Sequence, residues 1–131
     1  MQTAQRYFLK KDDRLKSRKT IEMLFATGKS FSTFPFRILW RYENDGSGLK
    51  AGFSASSKNF KKATDRNKIK RLMREAYRLQ KNDLAMHLKT SNKGLDLFII
   101  YTGKDIPSYD FVYEKIGAVL KRILKLVNED I

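Results

Sequence analysis

The stretch Arg66–Arg78, RNKIKRLMREAYR, places six cationic side chains and one carboxylate within thirteen residues. Guanidinium and ammonium groups at this density are suited to neutralising phosphates: arginine grips two oxygens at once, and lysine acts as a point charge. The run is interleaved with apolar residues at helical spacing. At about 100° per residue, Ile69, Leu72, Met73, Ala76, Tyr77 and Leu79 gather in an arc of roughly 160°. Lys70, Arg71, Arg74 and Arg78 fall nearly opposite, with Asn67 in their midst, and Arg66 and Lys68 flank the start. One face packs and the other is a cationic ridge carrying an amide.

Such a ridge works against its own helix. Basic groups near a helix N-terminus oppose the macrodipole by ~0.3–1 kcal/mol each. Like charges four residues apart, as in Arg66/Lys70, Lys70/Arg74 and Arg74/Arg78, add a few tenths each. Only the Arg71/Glu75 pairing and an acidic cap at Asp65 lean the other way. A merely solvated face would mix signs. A helix lying on an anionic membrane would need the apolar face that a single small core requires for itself. From Lys58 to Lys81 there are ten basic and two acidic residues, a local net of +8 that takes in Lys58, Lys61 and Lys62 of the preceding loop. A phosphate backbone is the best-matched counter-surface.

Residues able to do covalent or acid–base chemistry are sparse. A nuclease needs a carboxylate set for metal or an acid–base pair in reach of the phosphate. The carboxylates here stand singly or in surface pairs such as Asp12-Asp13. His87 is the lone histidine, and its context, DLAMHLK, offers no obvious partner. With no cysteine there is neither a disulfide scaffold nor a thiolate metal site. No glycine-rich phosphate loop occurs. The chain is therefore expected to hold no catalytic residues and no metal ligands of its own.

The elements that must position the ridge follow from periodicity. The 131 residues, net charge +14, predict one domain over 1–131, basic enough to want a polyanionic partner. Ser17 is expected to cap a short helix to Thr27, carrying Ile21, Leu24 and Phe25 and ending at Gly28. Pro35–Tyr42 alternates as a strand, with Phe36, Ile38, Trp40 and Tyr42 on one face and Arg37, Leu39 and Arg41 on the other. The turn residues NDGSG (44–48) and a second alternating run, Leu49–Ser56, predict a hairpin. Thr64 or Asp65 caps the ridge helix, whose pattern continues loosely toward Lys89. A third strand is expected at Leu95–Thr102. Ser108 caps a long final helix with Val112, Ile116, Val119, Leu120, Ile123 and Val127 as its buried stripe. The fold class is α+β, a small sheet with three helices in the order α-β-β-α-β-α. The longest apolar run, Leu97–Tyr101, is far short of the ~20 residues that span a bilayer, and no signal peptide is visible. The chain reads as cytoplasmic.

The pattern RNxxKRxxRE, standing here as Arg66, Asn67, Lys70, Arg71, Arg74 and Glu75, resembles the signature of the bacterial ribonuclease P protein component. GFSASSKNFKKATDRNKIKRLMREAYR has the family's order of strand, Ser-x-Ser, basic loop and helix; KKDDRLKSRKTIEMLFATGK upstream and LDLFIIYTGK downstream are similar to its flanks. The likeness runs over about residues 9–128. Lys68 stands where many members carry a third arginine. The resemblance implies a protein subunit that performs no chemistry itself: an RNA subunit, with magnesium held mainly by RNA, removes the 5′ leader of precursor tRNA. It implies that Lys58, Lys61, Lys62, Arg66, Asn67, Lys68, Lys70, Arg71, Arg74 and Arg78 bind the RNA subunit. It implies a leader cleft formed by Arg14, Phe25, Arg37, Leu39 and Arg41, since aromatic and apolar surfaces stack on bases while cations track the backbone. The partners would be the ribonuclease P RNA and precursor tRNA, with no membrane and no obligate protein partner. The family form also implies an extra short strand and a left-handed strand–helix–strand crossover, against the usual rule.

Two other classes fit the composition. A structural RNA-binding protein, such as a ribosomal protein of α+β fold, would share the charge but not the signature helix beside an aromatic-bearing cleft. A double-stranded nucleic-acid module would spread its cations over groove-spanning loops, whereas these are concentrated on one helix and the loop before it.

Overall fold

The computed structural model describes residues 18–43, 46 and 48–130. Helix α1 spans Arg18–Thr27 and ends at Gly28, whose amide donates to Leu24 O at 2.9 Å. A Cβ at Gly28 would lie 2.6 Å from that carbonyl, so the close turn requires glycine. Strands β1 (Lys29–Thr33) and β2 (Phe36–Glu43) follow, then β3 (Gly48–Ala55), α2 (Ala63–Gln80), α3 (Asn82–Thr90), β4 (Gly94–Tyr101) and α4 (Tyr109–Asp130). The expected α+β class stands, with the extra strand at β1 and a helical run broken at Lys81 into α2 and α3.

The sheet order is β1-β2-β4-β3. β1 and β2 are antiparallel neighbours, with Phe31 opposite Ile38. β2 and β4 are antiparallel, with Leu39 opposite Phe98, and β3 runs parallel to β4, with Gly52 opposite Phe98. The expected hairpin of β2 and β3 therefore does not form. β4 inserts between them, and the hairpin of the fold is β1–β2, turning at Phe34-Pro35. The reason lies in β4 itself, LDLFIIY, which is apolar on both faces and must be covered on both sides and both edges.

Two cores result, one on each face of the sheet. Phe36, Ile38 and Trp40 of β2, Leu95, Leu97, Ile99 and Tyr101 of β4, and Leu49, Ala51 and Ala55 of β3 are buried beneath α2, α3 and α4. The final helix contributes Val112, Ile116, Val119, Leu120, Ile123 and Val127, all buried. Ser108 caps it, its Oγ accepting from Phe111 N at 3.3 Å. On the opposite face a smaller cluster of Leu24, Leu39 and Phe98, with Ile21 and Ile100 against it, fixes α1 to the sheet.

Candidate nucleic-acid interface

Helix α2 buries Ile69, Met73, Ala76 and Tyr77, with the Tyr77 ring 5.3 Å from that of Phe53. Its opposite face is left to solvent: Asn67, Lys68, Arg71 and Arg74 are exposed, and Lys70 and Arg78 half-buried. Lys58, Lys61 and Lys62 are exposed in the loop before it. The residue preceding the helix is Lys62, in extended backbone and with no side-chain cap, so Thr64 and Asp65 lie inside the first turn rather than capping it. The first amides of α2 thus open among lysines, an arrangement that suits an anion.

Two of the expected phosphate ligands also carry structural tasks. Nη1 of Arg66 donates to Phe60 O at 2.6 Å and Lys61 O at 2.9 Å, tying the basic loop to the helix. Arg78 donates to both oxygens of Glu75, at 3.1 and 2.6 Å, so the carboxylate pairs one turn forward rather than back to Arg71. That hydrogen bond holds the Glu75 carboxyl below its ordinary range and raises Arg78. The loop is anchored a second time by Asn59, a residue that sequence reasoning missed. Its Nδ2 donates to Thr102 O at 3.1 Å and Gly103 O at 3.2 Å. Phe60, buried beside Tyr101 at 6.0 Å, seats the same segment. Lys58, Lys61 and Lys62 are therefore displayed on a pinned loop.

The face bearing α1 presents the second set. Phe25 is 51% exposed, its ring edge-on to Phe98 at 6.0 Å, and Arg37 is exposed on the adjoining strand. Leu39 departs from expectation. It lies on the predicted face, but at 2% exposure it is sealed beneath Leu24 of α1 and is a core residue rather than a cleft wall. Arg41 is half-buried and engaged by Glu43 at 3.0 Å and Asp96 at 3.5 Å. Arg14 lies outside the described residues. Beyond α1 the same face continues through Phe98 and Ile100 to Gly52 and Ser54 in register beside them. Phe98 and Ile100, two residues apart on β4, share that face, which the register and the packing of Leu24 and Leu39 identify.

His87 is half-buried in α3, and among the described residues no group of three or more His, Cys, Asp or Glu side chains converges. The sheet, the cationic helix with its pinned basic loop, and the half-exposed aromatic across the sheet define a small basic α+β protein suited to a polyanion. The ribonuclease P family model matches residues 9–124, and the chain belongs to that family. The ribonuclease P protein component of Porphyromonas gingivalis is 32% identical over 120 residues, covering 88% of this chain and 85% of the relative. That of Chlorobium phaeobacteroides is 28% identical over 127 residues, covering 88% and 87%. The solved ribonuclease P protein of Thermotoga maritima superposes with a TM-score of 0.66 at 32% identity, covering 83% of this chain and 96% of that one. Membership makes this chain the protein subunit of a ribonucleoprotein endoribonuclease of tRNA processing, with an RNA subunit as partner. No helix among the described residues is long and apolar enough to cross a membrane.

Proposed function

We propose that this chain grips the ribonuclease P RNA with the α2 ridge and its pinned loop, and holds the 5′ leader of precursor tRNA on the α1 face of the sheet. The observation that carries the reading is the division of the two surfaces by the sheet. The ridge stands on a helix of one layer, and the exposed Phe25 on the helix of the other, so two nucleic-acid segments can be engaged at once.

On the ridge, Lys68, Arg71 and Arg74 offer cations to phosphates, Asn67 adds directional hydrogen bonds, and Lys58, Lys61 and Lys62 extend the charge past the helix start. On the other face Phe25 and Phe98 offer ring surface to unpaired bases, and Arg37 a charge to the strand's backbone. Leu39 supports this surface from below. Hydrolysis of the phosphodiester belongs to the RNA subunit. Magnesium would supply charge neutralisation and water activation there. The described residues do not fit a magnesium cage: Glu75 is engaged by Arg78, and Asp96 by Arg41. This reading leaves the ions to RNA phosphates.

Reconstitution tests this directly. The protein is mixed with a bacterial ribonuclease P RNA and precursor tRNA at low magnesium, and leader release is followed. RNA that is slow alone and fast with the protein is the expected outcome. Absence of stimulation despite salt-sensitive RNA binding would leave a general RNA-binding protein.

A further inference from the structure

Helices α2 and α4 meet along a seam that continues from the C-terminal end of the ridge. Tyr109 and Tyr113 open it on α4, their rings 5.9 Å apart and Tyr113 40% exposed. Glu75 and Arg78 of α2 are near enough to act electrostatically on the Tyr109 phenol. Tyr113, Gly117 and Lys121 recur at every fourth residue and so follow one side of α4. At Gly117 the seam widens into a hollow of about 410 Å³ between α4 and the joint of α2 and α3, within the ~300–1,000 Å³ of ordinary small-ligand sites. Leu79, Leu84, Leu120 and Leu124 give it apolar walls, while Asp83 and Lys121 bring opposite charges to its lining. Gln80 adds a polar group whose orientation is fixed. Its Nε2 donates to Ala76 O at 3.1 Å and to Tyr113 O at 2.9 Å. Carbonyl oxygens only accept, so both N–H groups are spent and Oε1 cannot exchange places with Nε2. Oε1 lies on the Gly117 side, 2.5 Å from where a Cβ would stand, and accepts no hydrogen bond from the described residues. Water serves a lone carbonyl well. It does not serve the leucine walls or the Tyr113 ring beside them, which suit a flat, apolar ligand with an N–H edge.

We propose that this seam takes an unpaired nucleobase of the RNA subunit, its ring against Tyr113 and the leucine walls and one of its N–H groups donating to Gln80 Oε1. Every base has a face for stacking and an N–H on its pairing edge, so the site selects an unpaired base rather than one base identity. The mixed charges of Asp83 and Lys121 suit a neutral base better than a phosphate. The strand's phosphates are met next door, where exposed Arg74 stands one turn before Arg78 on the ridge. The assignment to the RNA subunit rests on the ribonuclease P reading, which brings that RNA to the ridge.

Y113A removes the ring but keeps the backbone carbonyl that holds Gln80. Its affinity for the RNA subunit should fall by roughly 5- to 150-fold, the range for one lost base stack, with Y113F close to wild type. The salt slope should not change, because stacking releases no counterions; a general disturbance of the ridge would lower it. An affinity unchanged in Y113A, or a loss that comes with a smaller slope, would overturn the site. Ultraviolet crosslinking of the wild-type holoenzyme with precursor tRNA, mapped by peptide mass, gives a second measurement that needs no variant. A base of the RNA subunit is expected on Tyr113. No crosslink at Tyr113 would overturn the site should Y113A fold poorly, and a crosslink to precursor tRNA alone would overturn the assignment to the RNA subunit. Either failure, with leader release still stimulated in the reconstitution, would leave the ribonuclease P reading intact.

Discussion

Arg71 and Arg74 are the ridge arginines with the fewest other duties: both are exposed, whereas Arg66 holds the loop and Arg78 holds Glu75. Replacing either with alanine removes charge without disturbing packing. Each should weaken RNA-subunit binding and reduce its salt slope by about one unit. Equilibrium binding across a salt series checks this, and unchanged slopes in both variants would remove α2 from the interface. Glu75 makes the opposite case. Its carboxylate competes with phosphate for Arg78, so Glu75→Gln should strengthen RNA binding and steepen the salt dependence. The same pair has a pH signature. Because Arg78 depresses the folded-state pKa of Glu75, the pair stabilises the protein above the unfolded value of about 4.3. That contribution is lost as pH falls through the lower folded value. A Glu75→Gln protein should therefore show a smaller loss of stability on acidification below that point, measured by denaturant midpoint.

Helix α1 and the strands beneath it divide support from contact. Leu39 is enclosed by Leu24 and Phe98, so Leu39→Ala should cost roughly 2–5 kcal/mol, as core truncations do, and loosen α1. Phe25→Ala should cost little stability, an edge contact with Phe98 worth about 0.5–1.5 kcal/mol. It should weaken binding of leader-bearing precursor far more than of mature tRNA. If both substrates weaken equally, Phe25 serves only to hold α1. The contrast also shows what periodicity could and could not reveal. Alternation placed Leu39 correctly with Arg37 and Arg41, but the helix that covers it is a tertiary partner, invisible to a local pattern. The same limit explains the missing β2–β3 hairpin. Turn residues at 44–48 favoured a direct hairpin, yet β4 arrives between the two strands from about forty residues later in the chain, and its apolar character on both faces was the one available hint. Strand β1, KSFST, is short and mostly polar, and it pairs because β2 offers an edge. Which side of α2 packs was legible because a helix face depends only on its own spacing, whereas its cap and the partner of Glu75 were not. The duties of Arg66 and Asn59 were not, since each bonds backbone carbonyls whose positions the loop fold decides.

Across the whole molecule, the net charge of +14 pulls stability and binding in opposite directions as salt changes. The free protein repels itself, most strongly along α2 and its loop, and ions screen that repulsion over a Debye length of ~10 Å at 0.1 M. Among the described residues, the ion pairs of Arg41 with Glu43 and Asp96 and of Arg78 with Glu75 are partly exposed and would weaken under the same screening. Isolated pairs of this kind contribute only ~0–1 kcal/mol, so repulsion should dominate. Raising potassium chloride should therefore raise the thermal midpoint of the free protein, while affinity for the RNA subunit falls steeply, by about 10³–10⁵ between 50 and 200 mM if 6–10 phosphates are contacted. Chloride is preferred to sulfate because sulfate strengthens apolar burial in any protein. Calorimetry of the free protein and binding in the same salt series separate the two effects. A midpoint that falls with salt would mean that the ion pairs outweigh the ridge. Stability would then depend on Arg41 and its two carboxylates, and the cationic face would carry less strain than its composition implies. A rising midpoint would locate the counter-charge for the ridge outside the chain, on the RNA that the family's holoenzyme provides.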